Sequence, residues 1–334
     1  MLILLSRRRL IASLILLQFM TACAAKPKGP LAYVSNEREG TISVIDMGRD
    51  RVIETITVGA RPRGIRLSPD GTRVYVALST PSGQDYNEAD NKIAAIDTVR
   101  REVVAKYDVG SDPEQLVLSR DGKRLYASNE DAGTASVTDI ETGRLIATLV
   151  VGIEPEGVTI SPDGRWVYVT AETSNTVSVI DTQTNQVVAT FMVGSRPRDA
   201  AFSPDSTRAY VTAEIGRTLS VIDTAGHKVI RQVELPRGDN VKPMGVVVSH
   251  DGRKVYVAMG RANMVTVIDT ASFNVLATIP VGKRVWGLAL TPDGKKVYTA
   301  NGLSNDVSVI DTTTDQVIAT IKAGDGPWGI ATRP

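Results

Sequence analysis

The stretch GVTISPDGRWVYVTAETSNTVSVIDTQTNQVVATFMV, residues 157–193, decides the fold. It reads as four short strands separated by turns. GVTISP is strand A. At the turn that follows, Pro162 presets φ, Asp163 tolerates the bridge region and Gly164 takes a positive φ. RWVYVTA is strand B and TVSVID is strand C. Asp181 opens the next turn, and QVVATFMV is strand D. These are Val- and Ile-rich runs rather than clean apolar–polar alternation, the pattern of a sheet covered on both faces.

The same passage recurs from residue 31 onward. A tyrosine followed by small or β-branched residues stands at Tyr33, Tyr75, Tyr126, Tyr168, Tyr210, Tyr256 and Tyr298, spaced 42, 51, 42, 42, 46 and 42 apart. The base period is 42, with one insertion of nine residues and one of four. SVIDT-like strands keep step and end in Asp46, Asp97, Asp139, Asp181, Asp223, Asp269 and Asp311. A Ser-Pro-Asp-Gly turn or a close variant follows strand A in six repeats. A period in the low forties with four strands per unit predicts an all-β, seven-bladed β-propeller of antiparallel blades. One such sheet cannot bury its faces alone, so the ring must close. The chain ends in Gly329-Ile330-Ala331-Thr332, a strand A without B, C or D, and Leu31 begins B, C and D without A. The last strand is therefore expected to complete the first sheet, with 329–332 bonded to 31–35.

Composition narrows the function. Hydrophobic residues are 42% of the 334, enough for a large core, and aromatics only 5%. Lys and Arg number 38 against 37 acids, a balance that speaks against a strongly basic nucleic-acid binder. A single cysteine excludes internal disulfides and cysteine metal clusters, and two histidines leave little for zinc or copper.

The opening MLILLSRRRLIASLILLQFMTACAA places three arginines before an apolar run from Leu10 to Phe19. That run is about half the roughly 20 residues that span a bilayer. Residues 1–23 thus read as an export signal, residues 24–30 as a tether and 31–334 as one propeller. Removing the signal takes the formal net charge from +1 to −2. Ser6 to Ile11 also resembles a twin-arginine signal. Two cleavages compete. Met20-Thr21-Ala22-Cys23 resembles a lipobox, which makes Cys23 the lipidation candidate and a lipid anchor. Ala22-Cys23-Ala24 fits ordinary signal peptidase, which discards the cysteine. Both readings place the protein in the periplasm.

The Tyr-Val-Thr-Asn-like strand, the SVIDT strand and the SPDG turn, seven times over, resemble the YVTN family of bacterial propellers. Tyr168-Val169-Thr170-Ala171 and Tyr210-Val211-Thr212-Ala213 carry Ala for Asn, while Asn36 and Asn129 follow Tyr-x-Ser. Length, signal and blade count are most similar to the periplasmic propellers associated with quinone-cofactor (PQQ)-dependent alcohol catabolism. That resemblance implies a role beside alcohol oxidation or transport. It supplies no cofactor site here: the adjacent cysteines of a quinoprotein dehydrogenase are missing.

Catalytic motifs are not found. The seven strand-C aspartates, and Asp70, Asp121, Asp163, Asp205, Asp251 and Asp293, recur in blade after blade and read as turn caps. His227 and His250 fall in turns and read as solvated. There is no phosphate loop and no GxSxG elbow. The insertion from Gln84 to Asn91 is rich in oxygens but lacks the glycine and closing glutamate of an EF-hand, so no metal is assigned.

What varies between blades is the segment before strand A. In a propeller the D–A and B–C loops emerge at one rim of the channel. The residue before strand A is Arg63, Glu114, Glu156, Arg198, Met244, Trp286 or Trp328. These predict an acidic sector (Asp112, Glu114, Glu154, Glu156) and a basic sector (Arg196, Arg198, Arg237, Lys242). Trp286 and Trp328 should pair on neighbouring blades beside Arg284, either as a ligand sandwich that can be removed at little cost in stability or as a channel plug. Trp166 should be buried between blades. The leading reading is a non-enzymatic module binding a partner protein or small ligand through Arg63, Glu114, Glu156, Arg198, Arg284, Trp286 and Trp328. A lactonase-like hydrolase and a nucleic-acid binder are the alternatives.

Overall fold

The computed structural model describes residues 29–80 and 87–333. The export signal, Cys23, nearly all of the tether and residues 84–86 of the Gln84–Asn91 insertion lie outside the described residues. Seven four-stranded antiparallel sheets follow one another as the blades of a propeller. In the fourth blade the strands are Pro155–Ile160, Trp166–Ala171, Thr176–Asp181 and Gln186–Met192. Besides strands, the described residues hold one short 3-10 turn, Glu88–Asp90. None of their helices is long and apolar enough to cross a membrane.

Closure occurs as expected. Strand Pro327–Arg333 pairs antiparallel with Leu31–Asn36, matching Ala32 to Thr332, Tyr33 to Ala331 and Val34 to Ile330. The hydrophobic residues form seven clusters, one between each pair of adjacent blades. The cluster of Ala32 and Val34 with Tyr298, Val307 and Val309 spans the joint between the last blade and the first. Burial explains most of the missing alternation, because strands B and C are covered on both faces. Thr176–Asp181 is buried through its middle. The outer strand departs from that pattern: Gln186–Met192 alternates between exposed and half-buried residues, since nothing covers its outward face.

The repeated residues knit each blade to the next. All seven strand-C aspartates accept backbone N–H groups in the following turn, as with Asp181 from Gln183 (2.7 Å) and Thr184 (3.2 Å). The A–B turn aspartates do the same two residues on, Asp163 from Arg165 at 3.0 Å, with Gly164 at φ 78°. The residue two after the tyrosine is a hydroxyl in four blades and donates to the rim residue's carbonyl in the next blade. Ser35 reaches Arg63 O (2.6 Å), Ser128 reaches Glu156 O (2.6 Å), Thr170 reaches Arg198 O (3.2 Å) and Thr212 reaches Met244 O (2.6 Å). Tyrosine hydroxyls reach the C–D turn of the following blade, Tyr298 donating to Asp50 at 2.6 Å and Tyr256 to Asp315 at 3.1 Å.

Two turn-end expectations are corrected here. His227 is not a solvated turn residue. It takes a left-handed φ of 47°, bonds Tyr168 Oη through Nδ1 at 2.8 Å and meets the Trp166 ring edge-on at 4.7 Å. Burial, with Arg165 nearby, holds its pKa below the usual histidine value. Trp166 is not buried between blades. It starts its strand at the turn end, half-exposed, with the Arg165 guanidinium 4.4 Å from its ring centre.

Candidate functional site

Near the channel axis the inner strands approach closely. A side chain at Gly245 would place its Cβ 2.7 Å from Trp286 O, and one at Gly287 would stand 2.6 Å from Trp328 O. At these two positions the backbones can therefore meet only at glycine. The rim residues lead into these strands. Arg63 and Met244 precede theirs. Glu114, Glu156, Arg198, Trp286 and Trp328 fall inside strands that begin earlier than expected and carry a register shift. Such a bulge re-aims side chains. Glu156, Arg198, Met244, Trp286 and Trp328 consequently converge on one small cavity of about 30 Å³.

The predicted indole pair is present. Trp286 and Trp328 stack with centroids 6.2 Å apart and planes inclined 25°. Guanidiniums flank the stack: Arg63 lies 5.6 Å from the Trp328 ring centre, and Arg198 and Arg284 lie 5.7 and 4.3 Å from that of Trp286. Trp328 is only 5% exposed. The indoles fill the mouth rather than stand free at it, the arrangement of the plug alternative rather than of an open ligand sandwich.

The charges do not divide into an acidic and a basic sector. They interleave, because buried charges need partners. Arg63 donates to Glu37 Oε1 at 2.8 Å and pairs with Glu114. Arg61 holds Asp112 at 2.6 Å and reaches Glu114 at 3.5 Å. Arg198 donates to Glu156 Oε1 at 2.9 Å and pairs with Glu172. Arg196 lies 2.7 Å from Glu172 and 3.1 Å from Glu214. Sequence reading of the D–A loops missed Glu37, Glu130, Glu172 and Glu214. Their signal was the glutamate directly after strand B, as in Asn36-Glu37, Asn129-Glu130, Ala171-Glu172 and Ala213-Glu214.

This network shifts proton affinities apart. Burial works against the Glu114 carboxylate, but Arg63 and Arg61 outweigh it and hold its pKa down. Burial, then the charge on Glu114, pushes Glu130 up to about 9, so at neutral pH its proton bonds Glu114. Burial, offset in part by Arg198, lifts Glu156 to about 7. Oxygens of Asp112, Glu114 and Glu130 lie within 4.8 Å of one another, a spacing that would suit a cation. Arg61 and Arg63 already neutralise the group, so it fits a shared proton better than a metal ion.

One arc of this face lacks such pairing. Lys242 comes from a D–A loop of the sixth blade, Arg261 from its B–C loop, and Lys283 and Arg284 from the loop into the seventh. None of the four forms a salt bridge among the described residues, and Leu303, whose N–H bonds Lys283 O at 3.0 Å, is 59% exposed.

Fold and rim together define a seven-bladed β-propeller with a filled upper mouth. The model of the choice-of-anchor I domain matches residues 22–199, more than half of the chain, and the chain belongs to that family. Models of the YNCE-like β-propeller and of the cytochrome D1 heme domain match residues 160–246 and 204–328. A seven-bladed β-propeller protein of Mycobacterium tuberculosis is 31% identical over 121 residues, 35% of this chain and 29% of that protein. Antigen Lp49 of Leptospira interrogans is 31% identical over 102 residues, 29% of this chain and 22% of the antigen. The matches thus span less than a third of either relative. Among solved structures, hydrazine synthase of Kuenenia stuttgartiensis superposes with a TM-score of 0.75 at 23% identity, over 85% of this chain and 92% of that one. A Bacteroides fragilis protein provisionally assigned as a 6-phosphogluconolactonase gives 0.75 at 18%, over 93% and 99%. At these identities the likeness establishes the fold alone.

Proposed function

We propose that this chain is an exported, non-enzymatic interaction module whose rim face docks an acidic protein partner. The observation that carries the reading is the arc of Lys242, Arg261, Lys283 and Arg284, without salt bridges among the described residues, beside exposed Leu303 and outside an inner rim whose arginines are paired with carboxylates. Unmatched surface cations steer an oppositely charged partner, and an exposed leucine beside them supplies an apolar anchor. The filled mouth favours a broad partner over a small ligand at this end. The resemblance to propellers of quinone-dependent alcohol catabolism suggests a component of periplasmic oxidation or transport as that partner.

A hydrolase would need space for substrate at a protonatable carboxyl. Glu156 has the proton affinity, but the void beside it is about 30 Å³, the size of a water site rather than a lactone site.

The test is surface-immobilised binding of neighbouring periplasmic oxidation and transport components. Lys283→Glu with Arg284→Glu should slow association about tenfold or more at low salt and far less at high salt. Arg196 and Arg198, of the expected basic sector, are tied to Glu172, so their reversal would damage the rim itself. Equal association by wild type and the Lys283/Arg284 variant overturns the docking arc. Capture of duplex DNA with the same salt dependence would move the assignment to nucleic acid.

A further inference from the structure

The channel opens at the opposite end of the ring. Below the stacked indoles lies a cavity of about 390 Å³, reached past Pro162 and His250 of the A–B turns. Its wall repeats as the blades do. The position after the rim residue is glycine in five blades, with Gln115 and Asp199 as the exceptions. Two residues further on, the repeat supplies valine, threonine or alanine in six blades and Arg66 in the other. Val247, Ala201, Ala289 and Ala331 line one part with small apolar side chains, beside Thr159, Thr332 and His250. One guanidinium and one carboxylate thus stand among mostly small side chains.

The two form no direct salt bridge with each other. Arg66 forms no ion pair among the described residues, and its one side-chain hydrogen bond there is from Nη1 to the carbonyl of its neighbour Ile65 at 2.9 Å. Asp199 is fixed by backbone donors instead, Oδ1 by Ala200 at 2.9 Å and Oδ2 by Val246 at 3.1 Å. Burial draws the Arg66 pKa below the usual arginine value and raises that of Asp199 above the usual aspartate value, each countered in part by the other's charge. Folding gains little from leaving a forked donor under-used in the channel wall.

We propose that this lower funnel is a binding site for a small organic acid that carries a hydrogen-bond donor beside its carboxylate, a 2-hydroxy or 2-amino acid with an apolar side chain. The guanidinium takes the carboxylate through two parallel N–H bonds. Asp199 accepts from the adjacent hydroxyl or ammonium group. The side chain lies against the alanine and valine wall, in a volume within the ordinary range of small-molecule sites. Inorganic phosphate fits less well, because its second charge would face the Asp199 carboxylate. This site is at the far end of the channel from the proposed docking arc and stands independently of it.

Titration calorimetry of the full chain with 2-hydroxyisocaproate and with leucine tests the assignment, with isocaproate and inorganic phosphate as controls. At least one donor-bearing acid should bind saturably, one to one. Isocaproate, and the Asp199→Asn variant with the better acid, should bind about tenfold more weakly. Arg66→Met should abolish binding and Arg66→Lys retain part of it. Because an unpaired buried cation is costly, Arg66→Met should melt no lower than wild type. Absence of binding by both acids, unchanged affinity in Arg66→Met, or phosphate binding as tightly as the acids would each overturn the proposal. A lower melting temperature in Arg66→Met together with no wild-type binding would assign Arg66 a structural role instead.

Discussion

Trp328 shows how a rim residue becomes a core residue. It is 5% exposed and packed between Trp286 and the Arg63 guanidinium. Trp328→Ala should therefore cost about 3–5 kcal/mol, the usual loss for a large buried aromatic, and partly exposed Trp286→Ala distinctly less. Chemical denaturation of the two variants measures the difference, and equal small losses would contradict the packed mouth. Proton affinity gives a second residue-scale test. Glu130 has its folded pKa raised to about 9 from an ordinary value of 4.5, so the folded state holds a proton that the unfolded chain releases. Its contribution is fully present below about pH 4.5 and is lost as pH rises toward about 9. Glu130→Gln mimics the protonated form. It should flatten the fall of melting temperature between about pH 5 and about pH 9, whereas a slope matching wild type would show that Glu130 ionises freely.

At the scale of the element, strand Pro327–Arg333 closes the ring. Deletion of residues 329–334 strips the inner strand from the first blade and opens the cluster that joins it to the last. The expected result is loss of cooperative thermal unfolding, and an unchanged melting temperature would refute closure by this strand. Blade-to-blade bonds are smaller increments. Tyr298→Phe removes the 2.6 Å bond to Asp50 and leaves Lys296 as that carboxylate's partner, at 2.9 Å. A loss of about 1 kcal/mol is expected in denaturant titration. These elements were legible because the repeat states them seven times, and their ends were less so. Strands such as Pro155–Ile160 begin before the expected boundary because a bulge extends pairing past Gly157.

At the scale of the molecule, closure puts loops far apart in sequence onto one face and turns onto the other. Glu37 meets Arg63, and Arg198 meets Glu156 and Glu172, only because the ring fixes neighbouring blades side by side. The result is a rim whose inner arginines are paired, an outer arc whose cations form no salt bridge among the described residues, and a channel filled above and open below. Salt should separate these layers. Partner association through the Lys242–Arg284 arc should weaken steeply with added salt, while thermal stability should change little, because the buried pairs are screened far less. Parallel binding and melting series at two ionic strengths check this, and a melting temperature that fell as steeply as the affinity would place the salt-sensitive pairs inside the fold.

The sequence by itself determined the seven blades, the four strands in each, the strand that closes the ring, the turn-capping aspartates and the adjacency of Trp286 and Trp328. Each follows from a local pattern or from repeat position, and a 42-residue period places equivalent residues at equivalent sites. Only the tertiary structure decided which charges pair, how deeply the rim residues lie and where the channel stays open. Those depend on distances between side chains on different blades and on water excluded from a closed mouth. Asp112 and Arg61 are 51 residues apart in the chain yet 2.6 Å apart in space, a relation no periodicity states.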